Sequence, residues 1–244
     1  MRSLVLVLIA FILILIMTLF SFCQNQVKKN KIKRWSKSLN LQHHGQVFET
    51  LVHDTDGFLL SRQARQGRDA FDYVYGEIEF LSFIALIALT HPHENTQFYD
   101  LGSGIGKATI ACAMVFDLKK SVGIELFDTL NEAALGLKKT LAMIPGYEHS
   151  AQRIEFIHDD FFNVDLTEAT LIFIHATAFI GELWEKISQH LTKVAMGATI
   201  ITISKKLSGS AFVVKRTTQV NMSWGIVTAY IQAHEYQPDL INLN

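Results

Sequence analysis

Residues 100–109, with the sequence DLGSGIGKAT, decide the fold of this chain. Glycines alternate with other residues in the middle of the stretch, a lysine follows them, and the short apolar run QFY precedes Asp100. A glycine-rich loop between a strand and a helix lets the backbone approach a ligand closely, because glycine has no Cβ and adopts positive φ angles. The stretch therefore predicts a cofactor-binding loop, and its spacing has to distinguish among cofactors.

The spacing disfavours a nucleoside triphosphate. A phosphate-binding loop has the pattern G-x-x-x-x-G-K-[ST], in which the last residue holds magnesium. Counted back from Gly106 and Lys107, Leu101 stands where the first glycine belongs, and Ala108 stands where the serine or threonine belongs. A dinucleotide is a weaker alternative that stays open, because its pattern G-x-G-x-x-G would place a glycine where Lys107 stands.

S-Adenosylmethionine fits the stretch and the acidic residues that follow it. The molecule has no phosphate, and its ammonium and sulfonium groups favour an acidic neighbour such as Asp100. Glu125 ends the next apolar run, where its carboxylate can accept hydrogen bonds from two ribose hydroxyls. Asp160 and Phe161, in the DDFF segment after a third run, suit the amino group and the ring of adenine. These residues follow successive strands at their carboxyl ends, where open α/β sheets bind ligands.

Apolar runs alternate with helical patterns from residue 77 onward. The pattern predicts helices at residues 77–90, 104–120, 127–144 and 182–194, and strands at residues 97–102, 121–126, 153–161, 169–179 and 198–204. Two further β-rich runs, residues 211–220 and 224–234, have the pattern of an antiparallel pair. The alternation predicts an α/β fold with a mostly parallel seven-stranded sheet, covered on both faces, and a C-terminal antiparallel hairpin.

An apolar run at the N-terminus, Leu4 to Phe20, precedes this domain. A spanning helix needs about 20 mainly apolar residues. A signal peptide would have a shorter apolar core and a small-residue cleavage site, which the following TLFSFCQ does not supply. The run therefore predicts one transmembrane helix rather than a cleaved signal.

The charges that flank this run predict its orientation. Arg2 stands alone before it, whereas six basic residues lie between Lys28 and Lys37. Basic flanks stay cytoplasmic, so we expect the N-terminus outside and a cytoplasmic catalytic domain. The basic residues are interpreted first as an orientation signal. They could also contact anionic headgroups, and beside an anchor a lipid surface suits them better than nucleic acid does.

The composition excludes some classes of protein. Lys and Arg number 22 against 23 Asp and Glu, which gives no global attraction to nucleic acid. The two cysteines, Cys23 and Cys112, cannot form a disulfide framework, and this fits a reducing compartment. The HPHE segment at residues 91–94 contains a proline and lacks cysteines nearby, so a loop is favoured over a metal site and no metal is expected.

Several segments together resemble a known family. VYGEIEF at residues 74–80, followed by FYDLGSGIGK at 98–107, resembles the non-SET, disruptor-of-telomeric-silencing type of histone-lysine methyltransferase, which belongs to the class I methyltransferases. IFIHATAF at 172–179 and MSWGIVTAYIQAH at 222–234 are similar to later segments of that family. The resemblance extends from about Asp69 to His234. It implies a Rossmann-like class I fold, S-adenosylmethionine as cofactor and a protein lysine as substrate.

The resemblance also implies a set of site residues by position. The loop of residues 74–77 would cover the methionine end of the cofactor. The predicted cofactor-binding residues are Tyr75, Glu77, Asp100, Gly102, Ser103, Gly104, Gly106, Glu125, Asp160, Phe161 and His175. Phe179 and Tyr230 would wall the channel of the substrate lysine, and with His175 they form the predicted catalytic set. His175 replaces an asparagine of the family beside the methyl group, and Thr177 replaces a channel aromatic.

These observations predict a membrane-anchored methyltransferase that acts on a protein lysine. The alternatives are a methyltransferase of a small molecule, a lipid or RNA, and a non-catalytic membrane protein that binds S-adenosylmethionine. The predicted divisions are a transmembrane anchor at 1–23, a basic juxtamembrane segment and connector at 24–70, the methyltransferase domain at 71–236, and a tail at 237–244. Nucleic acid is disfavoured as a partner.

Overall fold

The computed structural model describes residues 21–22, 24, 26–27, 29–65 and 76–235. The predicted anchor run at residues 4–20 and the predicted cofactor contact Tyr75 therefore lie outside the described residues. No helix within the described ranges is both long enough and apolar enough to cross a membrane. The chain divides into two compact units, residues 1–44 and residues 45–244, and residues 29–38 of the first unit are helical.

The second unit is built on a seven-stranded sheet with the strand order β3-β2-β1-β4-β5-β7-β6. The strands are β1 (Gln97–Leu101), β2 (Lys120–Glu125), β3 (Ile154–His158), β4 (Leu171–Ile174), β5 (Thr199–Ile203), β6 (Phe212–Met222) and β7 (Gly225–His234). Strands β1 to β5 pair in parallel, whereas β7 is antiparallel to both β5 and β6. The predicted α/β architecture with a C-terminal hairpin is confirmed.

Seven α-helices lie in the described part of the chain from residue 41 onward. They are α1 (Leu41–Val52), α2 (Gly57–Arg65), α3 (Phe80–Ala88), α4 (Lys107–Val115), α5 (Asp128–Ala142), α6 (Glu148–Gln152) and α7 (Gly181–His190). Helices α1 and α2 fall in the polar segment before residue 70, where the sequence pattern delineates no element of the domain. In α1 the apolar residues Leu41, Phe48, Leu51 and Val52 are buried at helical spacing, whereas Phe58 and Leu59 of α2 are exposed.

Burial in the core explains why the sequences of the central strands are continuous apolar runs. All residues of β1 and β4 are buried, because helices cover both faces of a parallel sheet. Ile124 of β2, Ile174 of β4 and Ile200 of β5 belong to one buried cluster with Trp184 of α7. Burial of each such side chain contributes roughly 1.5–3 kcal/mol. This cluster holds the strand ends rigidly beneath the loops that follow them.

Two predicted boundaries are wrong in an informative way. The helix predicted at 104–120 ends at Val115, because Phe116 adopts an extended conformation and Lys119 N–H already bonds to the Thr96 carbonyl oxygen. Lys120 consequently begins β2 and does not lie at the helix end. The strand predicted at 169–179 ends at Ile174, so His175 stands in the loop that follows β4.

The strand order creates a crevice above the centre of the sheet. β1 lies between β2 and β4. After β2 the chain continues to β3 on one side of β1, and after β4 it continues to β5 on the other side. Ligands in open α/β folds bind at such a switch point, outside the carboxyl ends of the strands. Asp100 in β1, Glu125 at the end of β2 and His175 after β4 all stand at this edge.

Candidate functional site

A cavity of about 220 Å³ lies at the carboxyl ends of β1, β2 and β4. Most of the residues predicted from the sequence line it: Glu77, Asp100, Gly102, Ser103, Gly104, Glu125, Asp160, Phe161, His175 and Phe179. Phe48 of α1 and Ser61 of α2 also line it, although no sequence motif marks either residue. The wall of the cavity is therefore formed both by residues at the strand ends and by helices α1 and α2, which precede the sheet in the sequence.

The glycine loop needs its glycines for two different reasons. Gly102, Gly104 and Gly106 have φ angles of 79°, 56° and 79°, in the left-handed region that side chains with a Cβ avoid. Gly106 does not line the cavity. A Cβ at Gly106 would lie 2.4 Å from the ring of Phe156, so this glycine lets the loop and the start of α4 pack against β3.

Glu125 is held in place by backbone donors. Gly104 N–H donates to its Oε2 at 2.8 Å, and Phe127 N–H donates to its Oε1 at 2.9 Å. Burial raises the pKa of this carboxyl group, and these hydrogen bonds oppose the rise. Each carboxylate oxygen can accept a further hydrogen bond, so the group can receive two donors from a ligand in the cavity.

Asp100 is a second buried carboxyl group on the same side of the cavity. Its Oδ2 accepts a hydrogen bond from Thr109 Oγ1 at 3.1 Å. Burial, with a smaller contribution from the nearby Glu125, raises the pKa of Asp100 to about 7. A cation in the cavity would favour the ionised form and lower this pKa again.

Ser103 contributes a polar atom that the described residues leave without a hydrogen bond. Its Oγ is buried and finds no partner in the described part of the chain. The same Oγ lies where a Cβ on Gly123 of β2 would approach to 2.8 Å, so the bare backbone of Gly123 makes room for it. Buried polar atoms are almost always paired in native proteins, so this unpaired hydroxyl is an exception.

The loop at residues 76–79 is fastened to the tip of the β6–β7 hairpin. Ser223 N–H donates to the Glu77 carbonyl oxygen at 3.0 Å, and Glu79 N–H donates to the Asn221 carbonyl oxygen at 3.2 Å. Ile78 forms a β-bridge with Met222 between these two bonds. The described end of the family-like VYGE segment therefore has its position set by backbone contacts with the last hairpin of the sheet.

Glu77 also forms an ion pair that the sequence does not reveal. Lys107 Nζ donates to Glu77 Oε2 at 2.7 Å, and both side chains are largely buried. Lys107 is the residue whose presence argues against a dinucleotide loop, and it lies at the start of α4. The pair thus links the loop at residues 76–79 to the glycine loop across the cavity.

His175 lies in a neutral, weakly hydrated environment. Burial lowers its pKa to about 4, so the imidazole is uncharged at neutral pH. Its Nε2 lies 3.4 Å from Thr177 Oγ1, which in turn lies 2.9 Å from Ser204 Oγ. A neutral imidazole can both donate and accept a hydrogen bond, so this residue can contact a ligand without adding charge to the cavity.

Trp224 completes this side of the site, and the sequence analysis did not single it out. Its ring centroid lies 5.1 Å from that of His175. A Cβ on Gly76 would lie 2.3 Å from the Trp224 ring and 2.6 Å from His175 Cε1, so Gly76 fits closely between the two. Trp224 remains 46% exposed. The similarity of its SW dipeptide to the family segment was the signal that could have found it.

Of the remaining predicted residues, three line the cavity and one does not. Phe161 and Phe179 meet edge to face with centroids 6.1 Å apart, and Lys205 Nζ donates to the Phe179 carbonyl oxygen. Asp160 Oδ1 accepts a hydrogen bond from Phe162 N–H at 3.0 Å, which shapes the DDFF turn. Tyr230 does not line the cavity.

Tyr230 stands in the middle of β7. It pairs there with Thr202 of β5 and Thr217 of β6. Its backbone is thus fixed inside the sheet. The channel role of Tyr230 stays a prediction, as do the roles of the other site residues. In the described ranges no cluster of three or more His, Cys, Asp or Glu side chains could hold a metal ion.

Comparison with known proteins places most of this chain in one family. A family model described as "Histone methylation protein DOT1" matches residues 61–237. "Histone-lysine N-methyltransferase, H3 lysine-79 specific" from Caenorhabditis elegans is 34% identical over 142 residues, which are 54% of this chain and 15% of that protein. A protein-lysine N-methyltransferase from Saccharolobus islandicus is 33% identical over 86 residues, 35% of this chain and 48% of the relative. The matches thus cover less than half the length of these relatives.

A solved structure supports the fold independently. The RNA methyltransferase from Salinibacter ruber, in complex with S-adenosyl-L-homocysteine, matches with a TM-score of 0.51 and 23% identity. The match covers 64% of this chain and 93% of the other. At this identity the likeness concerns the fold alone, and it confirms the predicted class I methyltransferase fold.

Proposed function

The chain belongs to the DOT1 histone methylation family, and from this premise we propose that it is an S-adenosylmethionine-dependent protein-lysine methyltransferase held at a membrane by its N-terminal segment. The observation that carries the proposal is the carboxylate of Glu125, which Gly104 and Phe127 hold inside the cavity at the end of β2. A carboxylate placed in this way suits the two hydroxyls of a ribose.

The residues around the cavity fit S-adenosylmethionine. Glu125 would accept from the ribose, and Asp160 and Phe161 would contact the adenine amino group and ring. Ser103, which lines the cavity within the glycine loop, would face the methionine end of the cofactor. Asp100 supplies the negative charge that a cationic ligand favours, and the pKa of about 7 would fall when such a ligand binds.

The bound cofactor supplies an electrophilic methyl group on a sulfonium. The chain's own residues align the incoming amine and exclude water. Phe83, Phe173 and Phe179 line the cavity and make it apolar. A lysine amine in such surroundings loses its proton more easily, because desolvation disfavours the ammonium form and lowers its pKa. His175 is neutral and orients the amine by a hydrogen bond, and the alignment of the reacting groups accounts for most of the rate.

Binding of the cofactor is tested by calorimetry on the full-length chain in detergent. We expect S-adenosylmethionine to bind with one site per chain, and Glu125→Gln to weaken it by about 10- to 100-fold, because a charge-assisted hydrogen bond is worth roughly 1.5–3 kcal/mol. Glu155→Gln is the matched control, since Glu155 is an exposed residue of the neighbouring strand β3. Equal affinity in both variants would remove Glu125 from the site, and no binding at all would overturn the assignment.

The substrate class is tested with labelled cofactor in a lysate of the source cells. We propose a protein lysine, in keeping with the printed names of the relatives. Label should enter protein and survive hydrolysis as methylated lysine. Label in the organic phase or in RNA would instead support a lipid or RNA substrate. Cofactor binding without any transfer would support a non-catalytic binding protein.

The location of the protein is a separate part of the proposal. The apolar run from Leu4 to Phe20 would span the membrane, with the basic residues after it on the cytoplasmic side. The catalytic domain would then face the cytoplasm. A C-terminal reporter that functions only in the cytoplasm should be active, and a reporter that is silent despite normal expression would show that this orientation is wrong.

A further inference from the structure

The charges of the chain are segregated along the sequence. Residues 1–48 hold seven of the 22 Lys and Arg residues and none of the 23 Asp and Glu residues. The rest of the chain therefore has 15 basic and 23 acidic residues. The net charge of the whole chain is near zero, but its N-terminal segment is strongly basic and the remainder is acidic. The segment can therefore bind an anionic partner that the remainder repels.

The structure arranges part of this basic segment on one helix. Residues 29–38 are helical, and Lys29, Lys33 and Lys37 are spaced by four residues. Since residues four apart lie on the same side of a helix, these three side chains form a single row, called here the lysine face. Lys31 and Arg34, exposed on the same helix, lie about 160° and 100° from its centre. All three residues of the lysine face are exposed, and none forms an ion pair with any residue in the described part of the chain.

A row of like charges at this spacing is unfavourable unless something neutralises it. Lysines four residues apart on one helix face repel each other and weaken the helix. No carboxylate precedes Glu49 in the sequence, so this segment contains no acidic side chain that could offset them. The arrangement therefore fits an external anionic surface that touches the whole row at once.

We infer that the lysine face lies flat on the anionic headgroups of the membrane leaflet that the proposed anchor enters. This inference rests on the anchor proposed for Leu4–Phe20. Lys29 follows the end of that run by nine residues, and the row itself is about 12 Å long. The attraction of an anionic surface fades within about 8–10 Å, so the three lysines gain from it together only when the helix lies along the surface.

A lipid surface is favoured over nucleic acid by this position. The anchor would keep the row beside one leaflet at all times, whereas a duplex would have to reach it from solution. Each lysine near an anionic surface strengthens the attachment about fivefold. The lysine face would therefore attach the juxtamembrane helix more firmly as the anionic lipid content of the leaflet rises.

The test uses the full-length chain in lipid nanodiscs, with a fluorophore on a single introduced cysteine and a quencher on the lipid headgroups. Cys23 is changed to serine, and Cys112 is buried. Ser36→Cys reports from about 60° beside the centre of the lysine face, and Ser38→Cys reports from about 140° away at almost the same depth along the chain. Discs of phosphatidylcholine alone are compared with discs that also contain phosphatidylglycerol.

We expect quenching at position 36 to rise severalfold when phosphatidylglycerol is present, and quenching at position 38 to rise less. The triple variant Lys29→Gln, Lys33→Gln, Lys37→Gln should lose this dependence on lipid composition. A matched control triple variant removes the same number of charges from exposed lysines of the other unit: Lys119, Lys139 and Lys193. The control should behave like the unaltered chain.

The outcomes separate this inference from the proposed anchor. Failure of the chain to elute with the discs would overturn the anchor and the lysine face together. Insertion with equal quenching in both discs would overturn the lysine face alone. A duplex oligonucleotide that the unaltered chain retards and the lysine-face variant does not, combined with equal quenching, would assign the row to nucleic acid instead.

Discussion

The two sides of the cavity are constructed differently. The strand-end side, formed by Asp100, Gly104 and Glu125, consists of carboxyl groups held by hydrogen bonds from nearby loops. The hairpin side, formed by Gly76 and His175, consists of a glycine and a neutral imidazole, with the indole of Trp224 packed against both. The first side is polar and suits a cationic cofactor. The second is uncharged and suits an amine that must lose its proton.

The largest expected difference between the two sides is the direction in which pH changes their contribution to the free energy of unfolding. Asp100 keeps its proton in the folded chain up to a pKa of about 7, against an ordinary value of 3.8, so the unfolded chain binds fewer protons between these pH values. Stability is therefore lost as pH rises from about 4 to 7, by up to about 4 kcal/mol. Asp100→Asn should remove this loss in the cofactor-free chain.

His175 should contribute with the opposite sign. Its pKa is about 4 when folded, against an ordinary value of 6.5, so the unfolded chain binds more protons between these values. Stability is therefore lost as pH falls from about 6.5 to 4, by up to about 3 kcal/mol. Denaturant titrations from pH 4 to 7 give the free energy of unfolding at each pH. The slope of this free energy against pH should change in opposite directions in Asp100→Asn and His175→Asn. Slopes that change in the same direction would refute the contrast.

Gly76→Ala should have the next largest effect, and it should fall on turnover. A Cβ at residue 76 would overlap Trp224 and His175, and the loop would have to move away from the hairpin. A displacement of about 1 Å near reacting groups can cost on the order of 100-fold in rate. Steady-state kinetics and calorimetry should show a fall in kcat of that size with a much smaller change in cofactor affinity.

Gly136→Ala is the control for this substitution, because Gly136 lies in α5 and its Cβ would meet nothing within 4 Å. It should leave activity unchanged. If Gly76→Ala weakened cofactor binding as strongly as it slowed turnover, the two sides would not be separable.

Trp224→Ala should lower kcat about tenfold. This corresponds to roughly 1.4 kcal/mol lost from the alignment of the substrate. The indole packs against His175, so its removal would let the imidazole move and admit water. Cofactor affinity should stay within about twofold. Ile226→Ala is the control, since this residue of the same hairpin is 68% exposed. Equal losses in both variants would mean that the hairpin acts only as a scaffold.

The smallest effect concerns the ion pair that joins the two sides. A double-mutant cycle with Glu77→Gln and Lys107→Met should give a coupling energy of about 1 kcal/mol, because the pair is largely shielded from water. The pair between Lys120 and Glu168 is a control with a more exposed carboxylate, and its coupling should be smaller. Zero coupling between Glu77 and Lys107 would mean that the two sides are energetically independent.

Sequence reasoning recovered the strand-end side far better than the hairpin side. Asp100, Gly104 and Glu125 belong to short motifs next to strand ends, and a local pattern is enough to place them at one edge of a parallel sheet. The apolar strand runs and the order of elements predicted the sheet for the same reason. The apolar pattern instead placed His175 inside a strand at residues 169–179, whereas β4 ends at Ile174 and His175 lies in the loop that follows it.

The features that escaped prediction depend on contacts between distant parts of the chain. The packing of Gly76 between His175 and Trp224 becomes visible only when the hairpin has been folded back onto the loop. Lys107 was assessed only as a departure from a cofactor motif, and its partner Glu77 lies 30 residues earlier. The mixed polar composition of α1 masks a helix whose apolar residues are buried.

The fastening of the loop to the hairpin tip has a consequence for the order of folding. Asn221 N–H donates to Ser82 Oγ across 139 residues of chain, among the longest separations of any hydrogen bond in the domain. Contacts of such high sequence separation form late, because a long stretch of chain must be organised before its ends can meet. During synthesis the strand-end side emerges long before the hairpin. A nascent or truncated chain could therefore complete its carboxylate-lined half while the opening for substrate is still unbuilt.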